Sequence, residues 1–175
     1  YDSIRGVGVH VHSNTSDGNN TIATSLTAFN SDGFTLGSGG DSNGNSETYV
    51  SWNWKAGTTG SGNTTGSGTA KTYSYSVNTT AGFSIVDYVG TGGAGTVSHG
   101  LGKAPDWIII KARDGSDNNE HWRVGHVSLG FTHRLQLNET NAASDSDTAF
   151  NDTAPTSSVF TIGTDNKINT NDENM

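Results

Sequence analysis

An all-β protein is what this sequence predicts: β-sandwich-like antiparallel domains with Gly/Asn-rich turns, internally repeated, with essentially no helix. Three observations predict it. Strand formers such as Thr, Val, Ile, Tyr and Trp are punctuated by 24 glycines, while Leu, Lys, Arg and Glu are scarce. Short alternating runs recur between turn signals at spacings of roughly eight to twelve residues, the signature of a sandwich or barrel. A third observation is internal. FTLGSGGDSNGNSETY, from Phe34 to Tyr49, returns as FTIGTDNKINTNDENM, from Phe160 to Met175.

The repeat extends backward from there. Gly37 meets Gly163 and Leu36 meets Ile162 without a gap. With two extra residues allowed in the later copy, Asn14 meets Asn138 and Gly6 meets Gly130, so that residues 1–49 resemble residues 125–175. Ala81–Arg123 precedes the second copy and has no counterpart ahead of the first. The expected organisation is therefore 1–57 as the back half of an upstream β repeat unit, 58–70 as a Gly/Ser/Thr-rich linker or loop, and 71–175 as a second β unit truncated at its C-terminal strand. The start at Tyr1 is read the same way, as that of a processed or internal piece.

Element by element, Gly8–Ser13 (GVHVHS) alternates and reads as a half-buried strand. Phe34–Leu36 is a short strand reached through a turn at Ser31-Asp32-Gly33. Thr48–Lys55 (TYVSWNWK) alternates strictly, which sends Val50, Trp52 and Trp54 toward a core. Lys71–Val77, Gly82–Tyr88 and Thr96–His99 are further strands. Asp106–Ala112 (DWIIIKA) is the most apolar run and reads as a central strand with Trp107 in the core. His121–Val127 and Thr132–Leu137 follow a polar tip at Arg113–Glu120. Ala142–Phe150 has room for one helical turn.

Composition excludes several functions. Only 30% of the 175 residues are hydrophobic and 15% charged, with two prolines, so the polarity is uncharged and suits extended β surface rather than disorder. A net charge of −8 and a pI near 4.9 argue against nucleic acid and anionic membranes as partners. No run approaches the ~18 apolar residues of a spanning helix, so no membrane insertion is expected. Cysteine is absent, which removes disulfides and thiolate metal sites. P-loop, G-x-S-x-G and dinucleotide fingerprints are missing.

The candidate site residues are few. Tyr73, Tyr75 and Trp122 are the glycan-contact candidates, because an aromatic face suits the apolar face of a sugar ring and the tyrosines flank the glycine-rich segment. Asp41, Asn43 and Asn45 space oxygens at alternate positions, as a calcium loop does, but the glycine is misplaced and a twelfth-position acid is missing. Asp114, Asp117 and Glu120 form a second acidic tip. A solvated turn is the simpler reading of both, and no resident cofactor is expected. His10 and His12, two apart on one strand face, lack an assignable third metal ligand. His99 in SHGLG is expected to pin a strand end. The acids mostly sit in turns, where Asp is chosen for its local hydrogen bonds, and the strand-borne pair that a glycosidase needs is missing.

Taken in order, DGFTLGS, ETYVSWNWKAG, NTTAGFSIVDYVGTGGAGTVSHGLGKAPDWIIIKAR, HVSLG, LQLNET and APTSSVFTIG resemble repeated domains of long virion proteins of marine bacteriophages, proteins labelled tail-fibre or structural. The resemblance spans nearly the whole chain, and in such proteins a laminin-G/concanavalin-like β-sandwich often lies upstream. It implies a non-enzymatic virion surface protein (tail fibre, head fibre or capsid decoration) on the virion exterior. Its expected partners are further copies of itself, a trimer among the options, other virion proteins, and host cell-surface glycans. The alternatives are a bacterial extracellular adhesin or lectin module and, further off, a glycan-cleaving enzyme. No catalytic or binding residue carries over from the family.

Overall fold

The computed structural model describes residues 1–114 and 120–175 and is an antiparallel β structure throughout. Its strands are β1 (Val9–His10), β2 (Asn20–Thr21), β3 (Leu26–Phe29), β4 (Phe34–Leu36), β5 (Thr58–Asn63), β6 (Thr65–Gly66) and β7 (Thr72–Asn78). They continue with β8 (Phe83–Tyr88), β9 (Gly95–Ser98), β10 (Trp107–Ile110), β11 (Arg123–His126), β12 (His133–Gln136), β13 (Ser144–Asp145) and β14 (Val159–Ile162). Among the described residues helix is confined to single turns: α1 (Gly40–Asn43), α2 (Asp147–Phe150), α3 (Asn166–Asn169) and a 3-10 turn at Val127–Leu129. The strands form a four-stranded sheet β10–β11–β12–β13, two three-stranded sheets, β5–β7–β8 and β14–β9–β6, and the pairs β1–β2 and β3–β4.

One hydrophobic core lies between these layers. Tyr88, Val97, Ile108, Ile110, Phe131, Phe150, Phe160, Ile162, Ile168 and Met175 meet there, with Tyr73 and Val86 packed against them. Each inward residue follows from alternation along its strand: Ile108 and Ile110 point in, and Phe160 and Ile162 face them from β14. Phe131 and Phe150 meet edge-to-face at 5.6 Å, which suits the ring quadrupoles. No residue before Tyr73 belongs to this cluster.

Three expectations are corrected. The segment 58–70, expected to be a linker or loop, contributes β5 and β6. β5 runs in register with β7 from Thr58↔Val77 to Asn63↔Thr72, and β6 pairs with β9. Glycine here is a packing device rather than a sign of flexibility. Gly60 and Gly62 sit opposite Tyr75 and Tyr73, and an added Cβ would fall 2.4 Å and 2.6 Å from atoms of those side chains. The tyrosine rings occupy the space that side chains on β5 would need.

Secondly, Thr48–Lys55 is not a strand, and Val50, Trp52 and Trp54 do not enter a core. All three are exposed, Trp52 at 75%. Alternation sets a face, but burial needs a second layer, and among the described residues none covers this one. Trp54 instead stacks on Phe83 at 5.8 Å. Thirdly, the run Asp106–Ala112 supplies an edge strand, not a central one. Among the described residues β10 pairs only with β11, and it turns Trp107 and Ile109 outward. The strand read at Gly8–Ser13 shortens to Val9–His10.

The repeat is written in backbone hydrogen bonds. β1 pairs with β2 as Val9↔Thr21 and His10↔Asn20, and β12 pairs with β13 at the equivalent residues, His133↔Asp145 and Arg134↔Ser144. Ile22 N donates to Gly8 O as Ser146 N does to Thr132 O. Gly37 N donates to Ser25 O as Gly163 N does to Ala149 O, both at 2.7 Å. Asn30 N donates to Gly33 O as Thr156 N does to Val159 O. α1 and α3 fall at equivalent positions. The same glycine corners and alternation therefore direct a similar path twice, except where the two-residue difference falls: there the first copy forms β3 and the second forms α2.

The first copy docks beside the second. Ser16 O accepts from Glu120 N at 3.0 Å and from Lys111 Nζ at 3.0 Å. Asn19 N donates to Arg113 O at 2.8 Å, and Trp122 Nε1 to His12 O at 2.8 Å. Gly18 permits this approach, since a Cβ there would lie 2.4 Å from Arg113 O.

Candidate functional site

The outer face of the four-stranded sheet carries an open, largely apolar concavity. Register places Trp107 opposite His126 and Ile109 opposite Val124 on β10 and β11, and Val124 opposite Leu135 on β12. An open groove of about 410 Å³ results, floored by Val124, Leu135 and Leu137 and walled by Trp107. Its polar edge is His126, Gln136, Glu139, Thr140 and Asn141. Trp107 is 59% exposed, a large aromatic face held on a strand rather than on a loop.

Polar neighbours are steadied by the fold. His126 Nδ1 accepts from Ser128 N at 3.1 Å as the cap of the 3-10 turn. Glu139 Oε1 stands 3.2 Å from His121 Nδ1. Beneath β12 the inner side is ionic: Arg123 Nε donates to Asp165 Oδ2 at 2.8 Å, and Arg134 Nε stands 3.7 Å from the same oxygen. β12 thus turns its arginine inward to a buried carboxylate and its leucine outward into the groove. An apolar groove with an aromatic wall and a few polar groups can take a ligand with one apolar face and hydroxyls at its rim.

The residues singled out from sequence fall elsewhere. Tyr73 and Tyr75 lie within β7, half-buried, with rings stacked at 6.3 Å over Gly62 and Gly60. Tyr75 borders a second open depression, of about 430 Å³, with Ser3, Ile4 and Ser61. Trp122 is half-buried, spends its Nε1 on His12 O and has the Lys111 ammonium 6.0 Å from its ring centroid. None of the three lines the Trp107 groove. That wall was missed because WIII reads as a buried run; Pro105 and Asp106 just ahead of it are the edge-strand signal.

Asp41 and Asn43 belong to α1, and Asn43 Nδ2 is committed to Gly37 O at 2.8 Å; Asn45 is exposed just beyond. Asp114 Oδ2 accepts from Asn174, Asp117 lies outside the described residues, and Glu120 is buried with Lys167 Nζ at 3.5 Å from its Oε1. Among the described residues no three His, Cys, Asp or Glu converge as a metal site. His10 and His12 rings lie 4.9 Å apart, and burial and the neighbouring His12 lower the His10 pKa.

Two buried groups hold the architecture. His99 Nδ1 accepts from Leu101 N at 3.1 Å while its Nε2 faces Thr156 O at 3.2 Å, which ties the end of β9 to the turn before β14. Burial lowers its pKa. Lys111 reaches Ser16 O and Glu120 O, and burial pulls its ammonium down to about 8 against the opposing charges of Glu120 and Asp17.

Fold and groove together define an antiparallel β protein with a duplicated hairpin module and an open groove walled by an exposed tryptophan. The chain belongs to the family described as Domain of unknown function (DUF7483), which it matches over residues 1–175, so both copies and the segment between them lie within the match. No curated protein and no solved structure matches it.

Proposed function

We propose that this chain is a non-enzymatic surface module of a bacteriophage virion, a tail-fibre, head-fibre or decoration element that attaches to host-surface glycans. The single observation that carries the binding half is the Trp107 groove: an exposed indole over an apolar floor, rimmed by His126, Gln136, Glu139 and Asn141. Sugar rings pair an apolar face with peripheral hydroxyls, which is the complement of that arrangement. One carboxylate, Glu139, lines the groove, whereas glycoside hydrolysis ordinarily uses two, so the reading is attachment rather than cleavage. The virion half rests on the ordered set of motifs and on the repeated hairpins. Display in many copies raises weak affinities by about 10²–10⁴ without any new contact.

A glycan array probed with the unaltered chain and with Trp107→Ala, each with and without chelator, tests the binding half. Expected is a set of glycans bound by the parent, lost on Trp107→Ala and indifferent to chelator. Binding to no glycan, or binding that Trp107→Ala leaves intact, overturns the groove. Chelator-sensitive binding would favour the calcium-dependent lectin alternative. A density map of virions carrying the protein tests the other half by locating the chain on capsid or tail.

A further inference from the structure

The two copies share most of a backbone path but not a cover. In the second copy the inner face packs beneath β8–β11, and β14 is paired on its outer side by β9, from Val159↔Ser98 to Ile162↔Gly95. In the first copy β4 pairs with β3 alone among the described residues. Equivalent side chains record the difference. Val7 is 44% exposed where Phe131 is 6%, Phe34 is 37% where Phe160 is 5%, and Tyr49 is 50% where Met175 is 5%. The first copy therefore keeps apolar residues at most positions that are core in the second (Ala149 and Ile168 meet Ser25 and Ser42), beside an unpaired strand edge. Such an edge is a template for strand addition.

We infer that this face docks a further β8–β11 layer, one with the pattern of residues 81–124, supplied by another unit of the same family. The second copy shows what the occupant must be: a small-residue strand like Gly95-Thr96-Val97-Ser98 to pair with β4, and an apolar layer to cover Phe34 and Tyr49. Side-chain volumes agree. In the second copy Gly125 is hemmed by Phe131 and Phe150, a Cβ there lying 2.8 Å from each ring. At the three equivalent positions the first copy has Tyr1, Val7 and Leu26, large where the other is small and small where it is large. Units joined through this face would form a continuous array in which each front layer covers a neighbour's back half. The inference is independent of the glycan reading.

A chain carrying a second copy of residues 81–124 directly ahead of Tyr1 recreates the Val124–Gly125 junction as Val124–Tyr1. Hydrogen exchange read by mass spectrometry compares residues 26–49 with 150–175. Expected is slowing of 26–49 by about tenfold or more, toward the protection of 150–175, which itself stays unchanged. Unslowed exchange at 26–49 while 150–175 remains protected overturns the inference. The unaltered chain provides a second arm that does not depend on the longer one folding. Phe34→Asp should leave its melting temperature where it was, whereas Phe160→Asp should unfold it. Equal damage from both, or 26–49 already protected in a dimer of the unaltered chain, means the face is covered by something else and also overturns the inference.

Discussion

Asn43 and Asn169 make the same hydrogen bond in the two copies: each Nδ2 donates to the carbonyl of the glycine six residues earlier, Gly37 at 2.8 Å and Gly163 at 2.6 Å. Their surroundings differ. Asn43 is exposed, while Asn169 is buried and also donates to Gly93 O and accepts from Thr91 N. One side chain thus closes a local turn in the first copy and ties three segments together in the second.

Asn169→Ala should therefore be far costlier than Asn43→Ala. Losing Asn169 leaves Thr91 N–H and the Gly163 carbonyl without these partners, at about 1–3 kcal/mol for each buried group left unpaired, while Gly93 O keeps the Thr91 hydroxyl. Asn43→Ala should cost about 0.5–1 kcal/mol, since water replaces the bond. Urea unfolding of the two variants checks this, and similar midpoints would contradict the difference in cover between the copies.

Gly60→Val should destabilise the fold by about 1–3 kcal/mol, because a Cβ at 2.4 Å from Tyr75 forces the ring from its place. A flexible linker would tolerate the change. Thermal melts with near-ultraviolet circular dichroism, which reports the Tyr73–Tyr75 stack, distinguish these outcomes.

Stability should fall as pH drops below about 6.5, the ordinary histidine value. Burial lowers the His99 pKa, so on acidification the unfolded chain takes up its proton first, and the folded state loses stability through that window. The geometry gives the reason: Nδ1 accepts from Leu101 N, so a proton placed there would face another N–H. His10, also lowered, acts in the same direction. Unfolding free energies between pH 7 and 5 should slope less steeply for His99→Gln than for the parent. An identical slope would remove His99 from this role.

Trp107→Ala and Trp122→Ala should separate binding from folding. Trp107 is mostly exposed, so its removal should change stability by no more than about 0.5 kcal/mol. Trp122 anchors the first copy through its bond to His12 O, so Trp122→Ala should loosen residues 1–22 and speed their proteolysis. Equal resistance of the two variants to protease would contradict the anchoring role.

Particular residues show how far the sequence reached. The match of Gly37 with Gly163 anticipated equivalent conformations in the two copies, seen as equal hairpin registers and corner bonds, because turn glycines and alternation act locally; the helical turns α1 and α3 were not anticipated. His99 was legible as a strand-end pin for a similar reason. The groove was not legible, because Trp107 and Trp54 look alike in sequence to any buried tryptophan. The strand at Thr58–Asn63 was hidden too: its stabilising partners, Tyr73 and Tyr75, stand on another strand.

By itself, then, the sequence determined the all-β class, the duplication, the turns and most strand positions, each of which depends on neighbours a few residues away. Only tertiary structure decided which strand faces are covered. Burial depends on what lies across the sheet, and so Phe160 is core while Phe34, on the same backbone path, meets solvent.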